Sequence, residues 1–184
     1  LAVAAPFGGL RVGYPDAGAG PDHLTSRRAY DLVATSFGVG ANGPLVLAVD
    51  VEDDPAVVDR LSTAVADTEG VAAVLPARLN ETGDTAALFV VPATGPQDRR
   101  TQDLIHRLRN DVVPEVAAAS EADVYVGGAN AAFVDESEFM AGRLPWFIGA
   151  VIALSFLLLL TVFRSVLVAV KAALMNLLAI GAAY

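Results

Sequence analysis

Residues 146–163 read WFIGAVIALSFLLLLTVF, eighteen positions without a charge. One Arg-Ser step follows, and residues 166–184 read VLVAVKAALMNLLAIGAAY, interrupted only by Lys171 and Asn176. An α-helix rises ~1.5 Å per residue, so each run reaches about 27–28 Å, close to the ~30 Å hydrocarbon thickness of a bilayer. No water is available there for backbone amides, so each run is expected to be helical. Two apolar runs with almost no loop between them predict a transmembrane hairpin, residues 146–163 and 166–184. Two buried helices of a soluble core are the other reading. Soluble helices rarely stay apolar all round for this long.

Charge falls unevenly on either side of this region. All 21 acids precede residue 139, and residues 1–145 hold ten Arg and no Lys, a formal charge of −11. The remainder holds Arg164, Lys171 and no acid. By the positive-inside rule the Arg164-Ser165 step faces the cytoplasm, and Lys171, one to two turns into the second span, snorkels to the same side. Arg164 and Lys171 are therefore expected to fix topology, with residues 21–145 extracytoplasmic and Trp146 at the interface. So acidic a domain is a poor partner for nucleic acid, which needs Lys and Arg to replace phosphate counterions. The chain has no Cys, which excludes disulfides and thiolate metal sites. Leu1 stands where a Met would begin a full chain, and no basic segment precedes an apolar one, so no signal peptide is visible. LAVAAP at residues 1–6 reads as the outer end of a preceding span, and Tyr184 ends the chain inside an apolar run. The expectation is an internal piece of a larger multi-pass protein of the cell membrane.

The acidic part reads as one α+β domain. Residues 6–21 are rich in Gly and Pro and read as a linker, so that residues 1–20 join a preceding span to the domain at 21–145. Asp22 or Thr25 is placed to cap a helix to about Phe37, with Ala29, Leu32, Val33 and Phe37 on one face. FGVGANGP at 37–44 breaks it. Leu45–Val51 suits a buried strand. Asp54-Pro55 reads as a cap and first helical residue, and Val57, Val58, Leu61, Ala64 and Val65 repeat at helical spacing up to Gly70. Val71–Ala77 and Thr85–Val91 read as strands joined through the turn signal ETGD at 81–84. Asp98 caps a third helix carrying Leu104, Ile105, Leu108, Val112 and Val113, which Pro114 ends or bends. Asp123–Val126 is a last strand, closed by Gly127-Gly128, and Phe133, Phe139 and Met140 fall on a connecting helix into Trp146. From Leu45 the order is β-α-β-β-α-β, the split βαβ or ferredoxin-like arrangement, with Val49, Leu61, Val90 and Leu108 expected inside.

Motifs for chemistry are weak. Gly38, Gly40 and Gly43 spell GxGxxG, but a dinucleotide loop needs a strand before it and a helix after it, and here the order is reversed. Asp50, Glu52, Asp53 and Asp54 cluster without the turn-forming Gly of a Ca²⁺ loop, and a helix N-terminus favours acids anyway. His23 and His106 lack a ligating neighbour. Asn80-Glu81-Thr82 is a sequon in a turn. No Ser or Thr stands in a nucleophile motif such as GxSxG, and no two carboxylates stand out as a catalytic pair. The residues point to no enzyme, metal or cofactor.

Three stretches carry a family resemblance: FGVGANGPLVLAV at 37–49, YVGGANAAFVDESEFMAGRLPWF at 125–147, and LLLLTVFRSVLVAVKAALMNLLAIGAAY at 157–184. Together they resemble the MMPL (mycobacterial membrane protein large) branch of the RND (resistance-nodulation-division) transporters, across nearly the whole chain. The resemblance implies an extracytoplasmic porter domain between the seventh and eighth spans, then the eighth span and most of the ninth. It implies a parent of about twelve spans in two similar halves, exporting lipids, hydrophobic compounds or drugs on the proton gradient. The partners so implied are the lipid bilayer, the remaining spans and porter domain, and a hydrophobic substrate; a homo-oligomer stays open. The family's proton-relay Asp-Tyr pairs belong to the fourth and tenth spans, so no residue here takes that role, Tyr184 included. Asp135 matches an acid that often follows the Gly-Gly-x-x-Ala pattern before the eighth span; with Gly127 and Gly128 it is a candidate for a linker or hinge, and a merely solvated acid is the equal alternative for it.

Two rivals stand beside the exporter: a membrane-anchored sensory or adaptor domain, and a protein-translocation accessory with a similar porter domain. Further spans after Tyr184, one with an intramembrane Asp, favour the exporter; a reading frame that stops there favours the anchor.

Overall fold

A computed structural model of the chain describes residues 16–51, 54–120, 122–163 and 166–183. They form two compact units that part between Asp135 and Glu136.

The unit ending at Asp135 is mixed α/β. It opens with a 3-10 turn, Ala17–Ala19, inside the predicted linker, where Asp16 Oδ1 accepts from the Gly18 N–H at 2.9 Å. Helix α1 is Thr25–Phe37. Neither predicted cap operates. Leu24 holds the N-cap position without a side-chain bond, Thr25 is already helical, and Asp22 pairs with Arg27 at 3.5 Å. The predicted apolar face is not buried either, since Leu32 and Phe37 remain 68% and 77% exposed. Periodicity reports a stripe but not its partner; α1 packs chiefly on the 3-10 turns Ala17–Ala19 and Val39–Asn42 that flank it.

Strand β1 is Leu45–Asp50 and helix α2 is Val57–Ala66. Pro55 falls in a turn, not the first helical position, because the Val57 N–H closes onto the Asp54 carbonyl at 3.1 Å. Strand β2 is Val71–Val74, shorter than expected. A two-residue strand β3, Arg78–Leu79, was not foreseen. It takes the near half of strand β4, Thr85–Pro92, pairing Arg78 with Ala87, while β2 pairs Val74 with Val90 in the far half. The turn between β3 and β4 is organised by Asn80, whose Oδ1 accepts from Gly83 and Thr85 amides at 2.9 and 3.1 Å.

Asp98 caps helix α3, Arg99–Arg107, accepting from the Arg100 N–H at 2.9 Å. A π-helical turn, Leu108–Val112, leads on to helix α4, Val113–Ala117. Pro114 has no N–H to continue an i→i−4 ladder, and the Val113 N–H instead reaches the Leu108 carbonyl five residues back. The segment bends and continues at Pro114. Strand β5, Val124–Gly127, completes a sheet in the order β2-β4-β1-β5, with β3 on β4 and every pairing antiparallel.

Side chains alternate across this sheet, as a half-covered sheet requires. Leu45, Leu47 and Val49 of β1 and Ala86, Leu88 and Val90 of β4 are buried. They meet Val57, Leu61 and Val65 of α2 and Leu104, Ile105 and Leu108 in one core. Val49, Leu61, Val90 and Leu108 are all 0% exposed, as predicted. Tyr125 and Leu79 lie exposed.

Helix α5, Ala129–Phe163, begins in this unit and continues into the second. The predicted connecting helix and first span are therefore one 35-residue element with Pro145 inside it. Its stretch Ala129–Val162 is long and apolar enough to cross a membrane, and no residue of its most apolar eighteen is buried within the chain. Helix α6, Val166–Ala183, follows. Arg164, Ser165 and Tyr184 lie outside the described residues, as do Glu52 and Asp53 of the predicted acidic cluster.

Candidate functional site

The sequence singled out the passage from β5 into α5, and the structure ties this passage to its surroundings at several points. Gly127 is the last residue of β5 and pairs with Val46. A Cβ on it would meet nothing closer than the Val46 carbonyl oxygen at 3.7 Å, an ordinary contact. Gly128 differs. Its φ is +104°, where a side chain is strained, and a Cβ would lie 3.0 Å from the Pro44 carbonyl oxygen. The two glycines of one motif are thus held for unequal reasons, and Gly128 is the one the turn requires.

Asn130, two residues on, is 3% exposed, and its Nδ2 donates to the Gly43 carbonyl at 3.1 Å. A Cβ on Gly43 would fall 2.4 Å from that nitrogen. Gly40, in the same turn, lies so close to the end of β4 that a Cβ would fall 1.8 Å from the Pro92 carbonyl oxygen. Of the GxGxxG string, Gly40 thus serves close backbone packing and Gly43 makes room for the Asn130 and Pro96 side chains, whereas Gly38 has open space around it and is set apart by its φ of +94°.

Asp135 makes the third tie. Arg109 Nη1 donates to Asp135 Oδ1, and Nη2 donates to Asp135 Oδ2 at 2.9 Å and to the Val126 carbonyl at 2.8 Å. The hydrogen bond from the Arg109 guanidinium holds the Asp135 carboxyl below the usual carboxylate range; desolvation opposes this, while the charges of Arg109 and His106 support it. Gly127, Gly128 and Asp135 thus come together around the start of α5. Lys171 lies exposed on α6, in the other unit.

Sequence reasoning missed Arg109 and Asn130. Arg109 bonds residues 17 and 26 positions away, so by spacing it reads as one more solvated cation on a helix. Asn130 carried a signal: a polar residue set between Ala129 and Ala131 just after the Gly-Gly step.

A profile of the MMPL family matches residues 43–184. The chain is 36% identical over 172 residues to the membrane protein YdfJ of Bacillus subtilis, covering 91% of this chain and 23% of that protein. It is 31% identical over 158 residues to the heme uptake protein MmpL11 of Mycobacterium tuberculosis, covering 82% and 16%. It is 28% identical over 166 residues to the mycolic acid-containing lipids exporter MmpL11 of Mycolicibacterium smegmatis, covering 86% and 17%. The chain spans less than a quarter of the length of these relatives. On the match over residues 43–184, the chain belongs to the MMPL family.

Proposed function

We propose that this chain is the extracytoplasmic porter domain and a transmembrane hairpin of a proton-driven exporter of lipids or other hydrophobic compounds, a multi-pass protein of the cell membrane and not an enzyme. The observation that carries this reading is a family match that runs from an α/β domain into a long apolar helix without a break. The domain is residues 21–145 and the spans are 146–163 and 166–184. Its β1-α2-β2-β4-α3/α4-β5 core is a ferredoxin-like unit with β3 inserted; the sheet order and its antiparallel pairs support that assignment. The domain opens and closes a path for substrate outside the membrane, and Gly127, Gly128 and Asp135 form its joint to the first span. Arg164 and Lys171 hold the short step between spans at the cytoplasmic face.

Proton coupling needs a titratable group within the membrane. Residues 139–184 contain no Asp, Glu or His, so the proton carrier lies in the remaining spans of the full-length protein. The name of the M. smegmatis relative supports a lipid cargo. The name of the M. tuberculosis relative supports a second reading, heme taken up. The full-length protein in proteoliposomes tests both: addition of lipid under an imposed pH gradient is expected to drive proton flux, and residues 1–184 alone are expected to give none. Flux driven by heme and not by lipid would move the assignment to the second reading. No flux with either would end the proton-driven account.

A further inference from the structure

We infer that Arg109 is a positioning residue that clamps the start of α5 to the sheet, so that the Gly127-Gly128 step transmits motion of the domain into the helix instead of absorbing it. The inference deepens the transport reading and rests on it for its functional consequence. A strand that ends at Gly127 and passes through Gly128 into a 35-residue helix has, by backbone alone, wide conformational freedom. Side chains remove that freedom here. Asn130 ties the first turn of α5 to the Gly43 carbonyl. Arg109 ties the second turn, through Asp135, to the Val126 carbonyl of β5. Ala131 and Val134, lying between these ties, are 0% and 6% exposed and belong to the core cluster.

Arg109 lies in the π-helical turn Leu108–Val112. The turn buries Leu108 completely, which anchors its backbone, and Arg109 is the next residue. Its guanidinium fork satisfies both carboxylate oxygens of Asp135 and a carbonyl of the edge strand β5 together. Only a planar, multi-donor group does this; a Lys ammonium can approach either partner but cannot hold both carboxylate oxygens and the carbonyl in one fixed geometry. The pair is partly shielded, with 25% of the Arg109 side chain exposed and 56% of that of Asp135. Water therefore reaches Asp135 but competes less well for Arg109.

Spin labels test the clamp directly in the full-length protein, with any cysteines outside this segment replaced. One label is placed at Arg99→Cys on α3 and the other at Ala132→Cys near the start of α5, both exposed positions of the unit that ends at Asp135. A narrow distance distribution is expected for the parent. Arg109→Ala and Asp135→Ala are each expected to lose it. Arg109→Lys is expected to lie between. The exchanged pair Arg109→Asp with Asp135→Arg is expected to regain part of the narrowness, since it restores the ion pair but not the tie to Val126. A distribution that stays narrow in Arg109→Ala would overturn the clamp. So would a loss in both single variants with no recovery in the exchanged pair, because that pattern belongs to general unfolding. Proton flux driven by a fluorescent acyl lipid is read in the same proteoliposomes. Reduced flux in Arg109→Ala, with recovery in the exchanged pair, supports transmission through the clamp. Full flux in Arg109→Ala would overturn transmission. Absent flux in the parent, with the label distances as expected, would sink the transport reading and leave the clamp standing.

Discussion

Replacing Gly40 by Ala places a methyl carbon 1.8 Å from the Pro92 carbonyl oxygen and 2.7 Å from its carbonyl carbon. Carbon and oxygen approach no closer than about 3.3 Å even in weak C–H···O contacts, so the two segments must part by roughly 1.5 Å. Both sides of the contact are backbone, and neither is free to move alone. Pro92 is buried and pairs with Val71, and the next residue, Ala93, donates to the Gly70 carbonyl at 2.7 Å. Gly43, three residues beyond Gly40, is fixed against Asn130. Overpacking at a well-packed site costs about 1–3 kcal/mol, occasionally more, and opposed backbone puts this site near ~3 kcal/mol. For a domain of about 120 residues, each kcal/mol moves the melting temperature by roughly 3–6 °C, so a fall of about 9–18 °C is expected. The assay is thermal unfolding, by circular dichroism, of a fragment spanning residues 16–138 with and without Gly40→Ala. Gly95→Ala is the control, because a Cβ there meets nothing within 4 Å, and it is expected to leave the transition in place. A fall of less than about 2 °C for Gly40→Ala, on a scale where ~3 kcal/mol is at stake, would refute the close approach of this turn to β4.

Leu108→Ala in the same fragment removes a fully buried side chain and is expected to cost ~2–5 kcal/mol, whereas Arg107→Ala, which loses one hydrogen bond to the Glu69 carbonyl, is expected to cost far less; equal losses would mean the helix presents another face. The depressed Asp135 carboxyl makes its pairing with Arg109 stabilising above the ordinary carboxylate value of about 4, with the contribution lost as pH falls through the lower folded value. Because Asp135 is more than half exposed, that contribution is held to below about 1 kcal/mol. Asp135→Asn is therefore expected to melt slightly below the parent at pH 7 and together with it near pH 2, and a gap unchanged between the two would remove the ion pair from the account. Lys171→Arg in the full-length protein is expected to keep most transport, since it preserves a snorkelling cation; lost transport at normal expression and insertion would give Lys171 a working role.

Local chemistry made much of the domain legible. Asp98 sits immediately before its helix and needs only the Arg100 amide, two residues on, to act as a cap. Val57, Leu61 and Val65 are four residues apart and buried on one side of α2, which is what helical spacing reports. β3 was invisible because Arg78 and Leu79 carry no alternation, and their pairing depends on where β4 lies. The stripe on α1 was legible and its burial was not, because a stripe does not name what it packs on. The joint shows the same division. Gly127 and Gly128 were singled out as the end of a strand, and Asp135 by its match to a family pattern. Arg109 and Gly43 reach the joint only through the fold, from 26 residues before Asp135 and 87 before Asn130. The apolar runs were read from length and hydrophobicity, whereas the single helix that joins the first of them to the domain needed the structure.

The membrane architecture is tested most directly by two single cysteines. The segment has no native Cys, so in a Cys-free full-length background Ser137→Cys and Ser165→Cys each report one position. In intact cells an impermeant maleimide is expected to label the cysteine at position 137, beyond the outer end of the first span, and to spare that at 165 until the membrane is permeabilised. Labelling at 165 with protection at 137 would invert the orientation. Labelling at both in intact cells would mean that residues 146–163 do not cross the membrane.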